Sequence, residues 1–188
     1  MDSVWRIFSS VADHAAVAAL LDRRGLLGED RAEVRAAVAQ IIERVREEGD
    51  AALLAYTRRF DGVDLAAPRL RVTKEEILAG AGEAPAELRE AIKRAGENIR
   101  RFHEAQVRRD LMVANPDGSL LALRFLPLAR VGVYIPGGAG GITPLVSSVL
   151  MNIIPAQVAG VEEIAVCSPP RADGTLAPAL LAALAYLG

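Results

Sequence analysis

The stretch from Val131 to Pro144 holds the residues best placed to do chemistry: Val131-Gly132-Val133-Tyr134-Ile135-Pro136-Gly137-Gly138-Ala139-Gly140-Gly141-Ile142-Thr143-Pro144. A strand here leads through glycines into a helix that Thr143 is expected to cap, with Pro144 in its first turn. Free backbone N–H groups and the positive end of the helix dipole gather at such a turn, which suits pyrophosphate or carboxylate. Glycines let the backbone approach a ligand with no Cβ in the way. Tyr134, at the carboxyl end of the strand, is expected to project over the crevice where open α/β sheets bind ligands. The same turn also occurs in α/β proteins that bind nothing there. The spacing departs from the dinucleotide fingerprint, because Gly138-Ala139-Gly140-Gly141-Ile142-Thr143 lacks the last small residue. No acidic residue ends the following strand, Val166-Cys167-Ser168.

Groups that move protons or hold metal are sparse. The two histidines, His14 and His103, and the one cysteine, Cys167, lie far apart in sequence. A zinc site needs three or four converging ligands, so none is expected within this chain. His103 beside Phe102 reads as a packing or interface residue, and Cys167 at a strand end as a small buried hydrophobe. Asp61 and Glu104 read as surface or capping charges, while Ser147 and Ser148 suit either the crevice or helix packing.

The elements that must position these residues follow from periodicity and caps. Asp30 is expected to cap a helix to Glu48, with Val34, Val38, Ile41, Ile42 and Val45 on one face. Gly49 stops it and Asp50 can cap the next. Leu70 to Val72 is a short strand candidate, and Thr73 with Glu76 has capping-box spacing for a helix from Lys74. Pro85 opens the longest helix, with Leu88, Ile92, Ala95, Ile99, Phe102 and Gln106 alternating by four and three. Asn115-Pro116-Asp117-Gly118 predicts a turn between strands at Leu111 to Ala114 and Leu120 to Leu126. Strand and helix then alternate: Val131 to Ile135, Thr143 to Asn152, a short helix from Pro155 ended by Gly160, Ile164 to Cys167, and Ala177 to Leu187. That order implies parallel pairing. The fold class is therefore α/β: a helical segment and a β-hairpin leading into an incomplete Rossmann-like parallel sheet with flanking helices. Three parts are expected: an arm over residues 1–28, helices and hairpin over 29–129, and the start of a Rossmann-like domain over 130–188.

Composition narrows the partners. Only four charged residues, Glu162, Glu163, Arg171 and Asp173, follow Val131, so that section should be covered on most sides. A net charge of -2 without a basic, aromatic-interleaved stripe argues against nucleic acid. The apolar run Leu176 to Leu187 falls short of the roughly 20 residues of a membrane span. A single cysteine and no basic-then-apolar N-terminal pattern point to a reducing, cytoplasmic setting.

Several separated motifs together resemble the histidinol dehydrogenases. They are Tyr134-Ile135-Pro136-Gly137-Gly138, then Ser147-Ser148-Val149-Leu150-Met151-Asn152 and Ile154-Pro155-Ala156-Gln157-Val158-Ala159-Gly160. Gly49-Asp50-Ala51-Ala52-Leu53 with Tyr56-Thr57 and Phe60-Asp61 agrees, as does Asn98-Ile99-Arg100-Arg101-Phe102-His103-Glu104-Ala105-Gln106. The resemblance runs from about Asp30 to Gly188. It implies a zinc-dependent homodimer that oxidises an amino alcohol, L-histidinol, to L-histidine by two hydride transfers to NAD. It places Tyr134 on the tyrosine that contacts the dinucleotide, with Gly137 and Gly138 lining the same loop. The family's zinc ligands and catalytic Glu-His pair are expected beyond Gly188, so this chain is expected to be inactive alone. Two departures stand out: Gly137 to Thr143 looks about two residues longer than usual, and Leu111-Met112 replaces a tryptophan found in many relatives. They leave room for a relative acting on another polar diol, such as a sulfonated one. A reading from another class is a non-catalytic module that dimerises through the Pro85–Gln106 helix.

Overall fold

The computed structural model describes residue 17 and residues 30–137 and 145–188. The expected arm over 1–28, His14, Gly138, the Thr143 cap and Pro144 lie outside the described residues, Val17 apart. The chain divides into two compact units, Met1–Ala52 and Leu53–Gly188.

In the first unit, α1 spans Asp30–Glu48. Gly49 takes φ +60° and its N–H returns to the Val45 carbonyl at 2.9 Å, a left-handed stop that only a residue without Cβ adopts freely. Val34, Val38 and Ile42, on the apolar stripe of α1, are exposed. The next helix, α2 (Asp50–Phe60), begins at once and continues into the second unit.

The second unit carries the core. A 3-10 turn at Ala67–Arg69 precedes α3 (Lys74–Glu83). The strand expected over Leu70 to Val72 does not form. Pro68 lies within the 3-10 turn and Leu70 closes it at φ −64°, ψ −32°, a helical geometry that cannot join a ladder. The capping box is present as expected: the Thr73 N–H donates to Glu76 Oε2 at 2.8 Å and the Glu76 N–H to Thr73 Oγ1 at 3.2 Å. Pro85 sits at the N-cap of α4 (Ala86–Glu104) rather than inside it. Ile92 and Gly96 are buried and Leu88, Ala95 and Ile99 half-buried, so the stripe is real, but it ends early: Phe102 is exposed and Gln106 lies past the helix end.

A hairpin follows, β1 (Leu111–Ala114) antiparallel to β2 (Leu120–Leu123), the second strand ending three residues before the expected Leu126. Then β3 (Arg130–Tyr134) pairs in parallel with β4 (Glu163–Cys167). Between them α5 runs unbroken over Val146–Val158, with Pro155 inside it, where the sequence predicts two helices. A proline deprives the carbonyl four residues earlier of its partner, here that of Met151, whose residue is exposed and can be served by water. Gly160 then ends α5 in a Schellman pair: Val161 N–H to Ala156 carbonyl at 3.0 Å and Gly160 N–H to Gln157 carbonyl at 3.0 Å.

The last helix, α6 (Pro178–Leu187), is apolar nearly all round and packs against α3, α4 and α5. Ile135, Val149, Ile154 and Leu180 are fully buried at the centre, each contributing about 2 kcal/mol of hydrophobic stabilisation. Helices approach closely at two glycines. A Cβ on Gly96 would lie 2.7 Å from Tyr186 Cζ and Oη, and one on Gly80 would press on Leu181 Cδ1. A polar clasp ties the ends: Arg100 donates to Gln157 Oε1 at 2.6 Å, and Gln157 Nε2 donates to the Leu187 carbonyl at 3.0 Å. That carbonyl is one of the orphan acceptors at a helix C-terminus. The result is an α/β unit of helices, an antiparallel hairpin and a short parallel sheet.

Candidate functional site

The parallel pair β3–β4 alternates its side chains cleanly. Val131, Val133, Ile164 and Val166 turn toward the helical core, and Val133 is buried. On the other face Arg130, Gly132, Tyr134, Glu163, Ala165 and Cys167 are exposed. The carboxyl end of such a parallel pair is where α/β sheets bind ligands.

At that end the geometry is well fixed. Tyr134 is 61% exposed, whereas Ile135, the next residue, is fully buried. The Ile135 N–H donates to the Cys167 carbonyl at 2.9 Å, carrying the ladder one residue past the strand. Anchoring Ile135 in the core while Tyr134 points outward holds the phenol at the sheet's rim. Pro136 is half-buried and Gly137 buried, so the chain turns inward directly after the tyrosine. Leu145 occupies the N-cap position of α5 without a side-chain cap, Ser147 is exposed and Ser148 half-buried. Of the three expected cofactor-binding residues, Tyr134 and Gly137 therefore adjoin at the end of β3, while Gly138 lies outside the described residues.

Cys167 departs from the sequence expectation of a buried hydrophobe. It is exposed and stands in register beside Tyr134 at the end of β4. Its thiol donates to the Val133 carbonyl at 3.6 Å. Strand parity holds the signal: Ile164 and Val166 claim the inner face, which leaves Cys167 the outer one. His103 is half-buried, its Nδ1 2.9 Å from Gln106 Oε1 and its ring edge-on to Phe102 at 5.5 Å, so it serves local packing.

The clearly shifted carboxylates all belong to caps, turns and helix pairs. Glu76 is lowered by the Thr73 N–H and then by Arg69, Asp117 and Asp173 by the hydroxyls and then the N–H groups of Ser119 and Thr175, and Glu48 by Arg44. No group of three or more His, Cys, Asp or Glu side chains comes together to hold a metal ion among the described residues. Nor is any described helix long and apolar enough to cross a membrane.

Comparison with known proteins bears on what this arrangement serves. The family model described as histidinol dehydrogenase matches residues 27–188. A histidinol dehydrogenase of Nitratidesulfovibrio vulgaris is 52% identical over 155 residues, covering 82% of this chain and 36% of its own length. One from Caulobacter vibrioides is 49% identical over 183 residues, covering 97% and 40%. The crystal structure of histidinol dehydrogenase from Elizabethkingia anophelis superposes with a TM-score of 0.75 at 35% identity, over 82% of this chain and 35% of that one. The chain thus spans about 35–40% of the length of these relatives. On these matches, the chain belongs to the histidinol dehydrogenase family.

Proposed function

We propose that these residues form the N-terminal part of an enzyme that oxidises L-histidinol to L-histidine with NAD, and that they supply one wall of its dinucleotide site. The observation that carries this reading is Tyr134 held outward over a buried Gly137 at the carboxyl end of a parallel strand. NAD, when bound, accepts the hydride that leaves the alcohol carbon. Tyr134 offers it a flat apolar ring with a polar tip, and Gly137 lets the backbone pass close behind. Gly138 is proposed to continue the same loop.

Hydride removal also requires a base for the hydroxyl proton and a cation to steady the alkoxide. Among the described residues no set of His, Cys, Asp or Glu side chains converges that would suit a zinc ion. Zinc ligands and the proton-handling pair are therefore proposed to lie in the family's later residues. By itself the 188-residue chain is proposed to bind NAD weakly and turn nothing over. The whole enzyme is proposed to be a cytoplasmic homodimer. A dimerisation module built on the long helix is disfavoured, because the apolar stripe of α4 is already engaged by α5 and α6.

The test is NADH formation from L-histidinol by the full-length protein. Tyr134→Ala should raise the KM for NAD by roughly 10-fold, about 1.4 kcal/mol of lost binding, with the fold intact by circular dichroism. Unchanged cofactor affinity would remove Tyr134 from the site. Turnover of another polar diol with histidinol ignored would reassign the substrate.

A further inference from the structure

The β1–β2 hairpin has no core of its own. The register puts Leu111, Val113, Leu121 and Leu123 on one face of the ribbon and Met112 and Leu120, with two alanines, on the other. Every one of these residues is exposed. No charged side chain guards the ribbon's edges between Leu111 and Ala114 or between Leu120 and Leu123. An isolated two-stranded ribbon is marginal in water and needs packing to persist. Yet its shape is firmly specified. Asn115 N–H closes on the Ser119 carbonyl at 2.8 Å, Gly118 turns at φ +85°, and Asp117 Oδ1 accepts from both the Ser119 N–H and hydroxyl. At the base, Asp110 accepts the Phe125 N–H at 2.8 Å and the Arg108 guanidinium lies 5.7 Å from the Phe125 ring.

A ribbon apolar on both faces requires two apolar walls. Edge pairing with an identical ribbon from a second copy would give a four-stranded sheet with both faces still wet, so it does not meet the need. A recess of about 400 Å³ between Gly62–Arg69 and Ala172–Gly174 is rimmed by Asp64, Arg69 and Asp173, the wrong chemistry for such a ribbon. The relatives, however, carry well over half their length outside the part this chain matches.

We propose that the β1–β2 hairpin is a docking arm that inserts into an apolar cleft formed by the later residues of the same polypeptide. The proposal rests on the reading of the chain as part of a longer histidinol dehydrogenase. The test places a photo-crosslinking benzoylphenylalanine at Leu121 in the full-length protein, co-folded from light- and heavy-nitrogen-labelled chains, and follows amide exchange over residues 111–123. Crosslinks should join position 121 to residues after 188 within one isotope label, and hairpin amides should exchange roughly 100-fold more slowly than in the 188-residue chain. Crosslinked pairs of mixed label would assign the cover to a second copy and overturn the proposal. Exchange equally fast in both proteins, with no crosslink, would overturn it as well. Failure to oxidise histidinol would remove the activity reading, while the crosslink pattern would still decide whether the arm docks as proposed.

Discussion

Replacing Gly96 by alanine adds one carbon to the face of α4 that meets α6, and two effects of opposite sign compete. Alanine in a helix interior is favoured over glycine by about 1 kcal/mol. Against this, the new Cβ would stand 2.7 Å from Tyr186 Cζ and Oη, well inside the usual carbon contact of about 3.5 Å. The ring must swing aside or the helices part, an overpacking cost of typically 1–3 kcal/mol. The net expectation is a loss of about 1 kcal/mol, or a fall in Tm of some 2–4 °C for a chain of this size. Urea unfolding of the single and double variants gives the decisive reading. In a Tyr186→Ala background the obstacle is gone, so Gly96→Ala should now stabilise by up to about 1 kcal/mol, a coupling of about 2 kcal/mol between the sites. If Gly96→Ala stabilises the otherwise unaltered protein, or destabilises equally in both backgrounds, the packing of α4 on α6 through this glycine is wrong.

Three further outcomes follow from named contacts. Thr73→Ala removes the hydroxyl that caps α3 and should cost about 1 kcal/mol in urea unfolding, while Thr73→Ser should restore most of it. Gln157→Leu leaves both Arg100 and the Leu187 carbonyl without their partner and should cost about 1–3 kcal/mol, with faster amide exchange at the end of α6 as the local readout. The Asp173 carboxyl is held below its ordinary range by the Thr175 hydroxyl and then the Thr175 N–H. Its contribution is thus fully present above the unfolded-state value and is lost as pH falls through the folded one. Melting followed from about pH 6 to about pH 3 should show a decline that is shallower in Asp173→Asn than in the unaltered chain.

Local chemistry is the most legible part of the sequence. The Thr73/Glu76 box, the Asn115–Gly118 turn and the stop at Gly49 each depend on a few neighbouring residues, and each forms as expected. What fails depends on distant partners. Leu70 to Val72 has strand composition, but the 3-10 turn over Ala67–Arg69 just before it leaves Leu70 in a helical cap geometry. Pro155 looks like a helix start because a proline breaks a buried helix, and only the exposure of Met151 reveals that this one can continue. The apolar period of α4 runs through Phe102 in sequence, whereas packing stops one turn earlier, leaving that ring in solvent. The outward position of Tyr134 is legible from its place at a strand end, whereas Cys167 yields its exposure only when the parity of β4 is followed to its last residue.

The division between core and site has a physical logic. No polar or charged residue is buried among the described residues, so the helical core is held by shape and hydrophobic contact. Groups poised for acid–base catalysis usually betray themselves through burial or a like-charge neighbour that shifts their titration. Here the shifted carboxylates are all lowered and all lie in caps, turns or helix-face pairs whose local donors account for them. They are structural anions, matched to N–H, hydroxyl and guanidinium donors, and none adjoins Tyr134 in the ladder. In the ladder the neighbour of Tyr134 is Cys167, and the lowered carboxylates lie elsewhere. If the outer face of β3–β4 holds a dinucleotide as proposed, the base and the cation that hydride removal requires must be brought against it by residues other than these carboxylates.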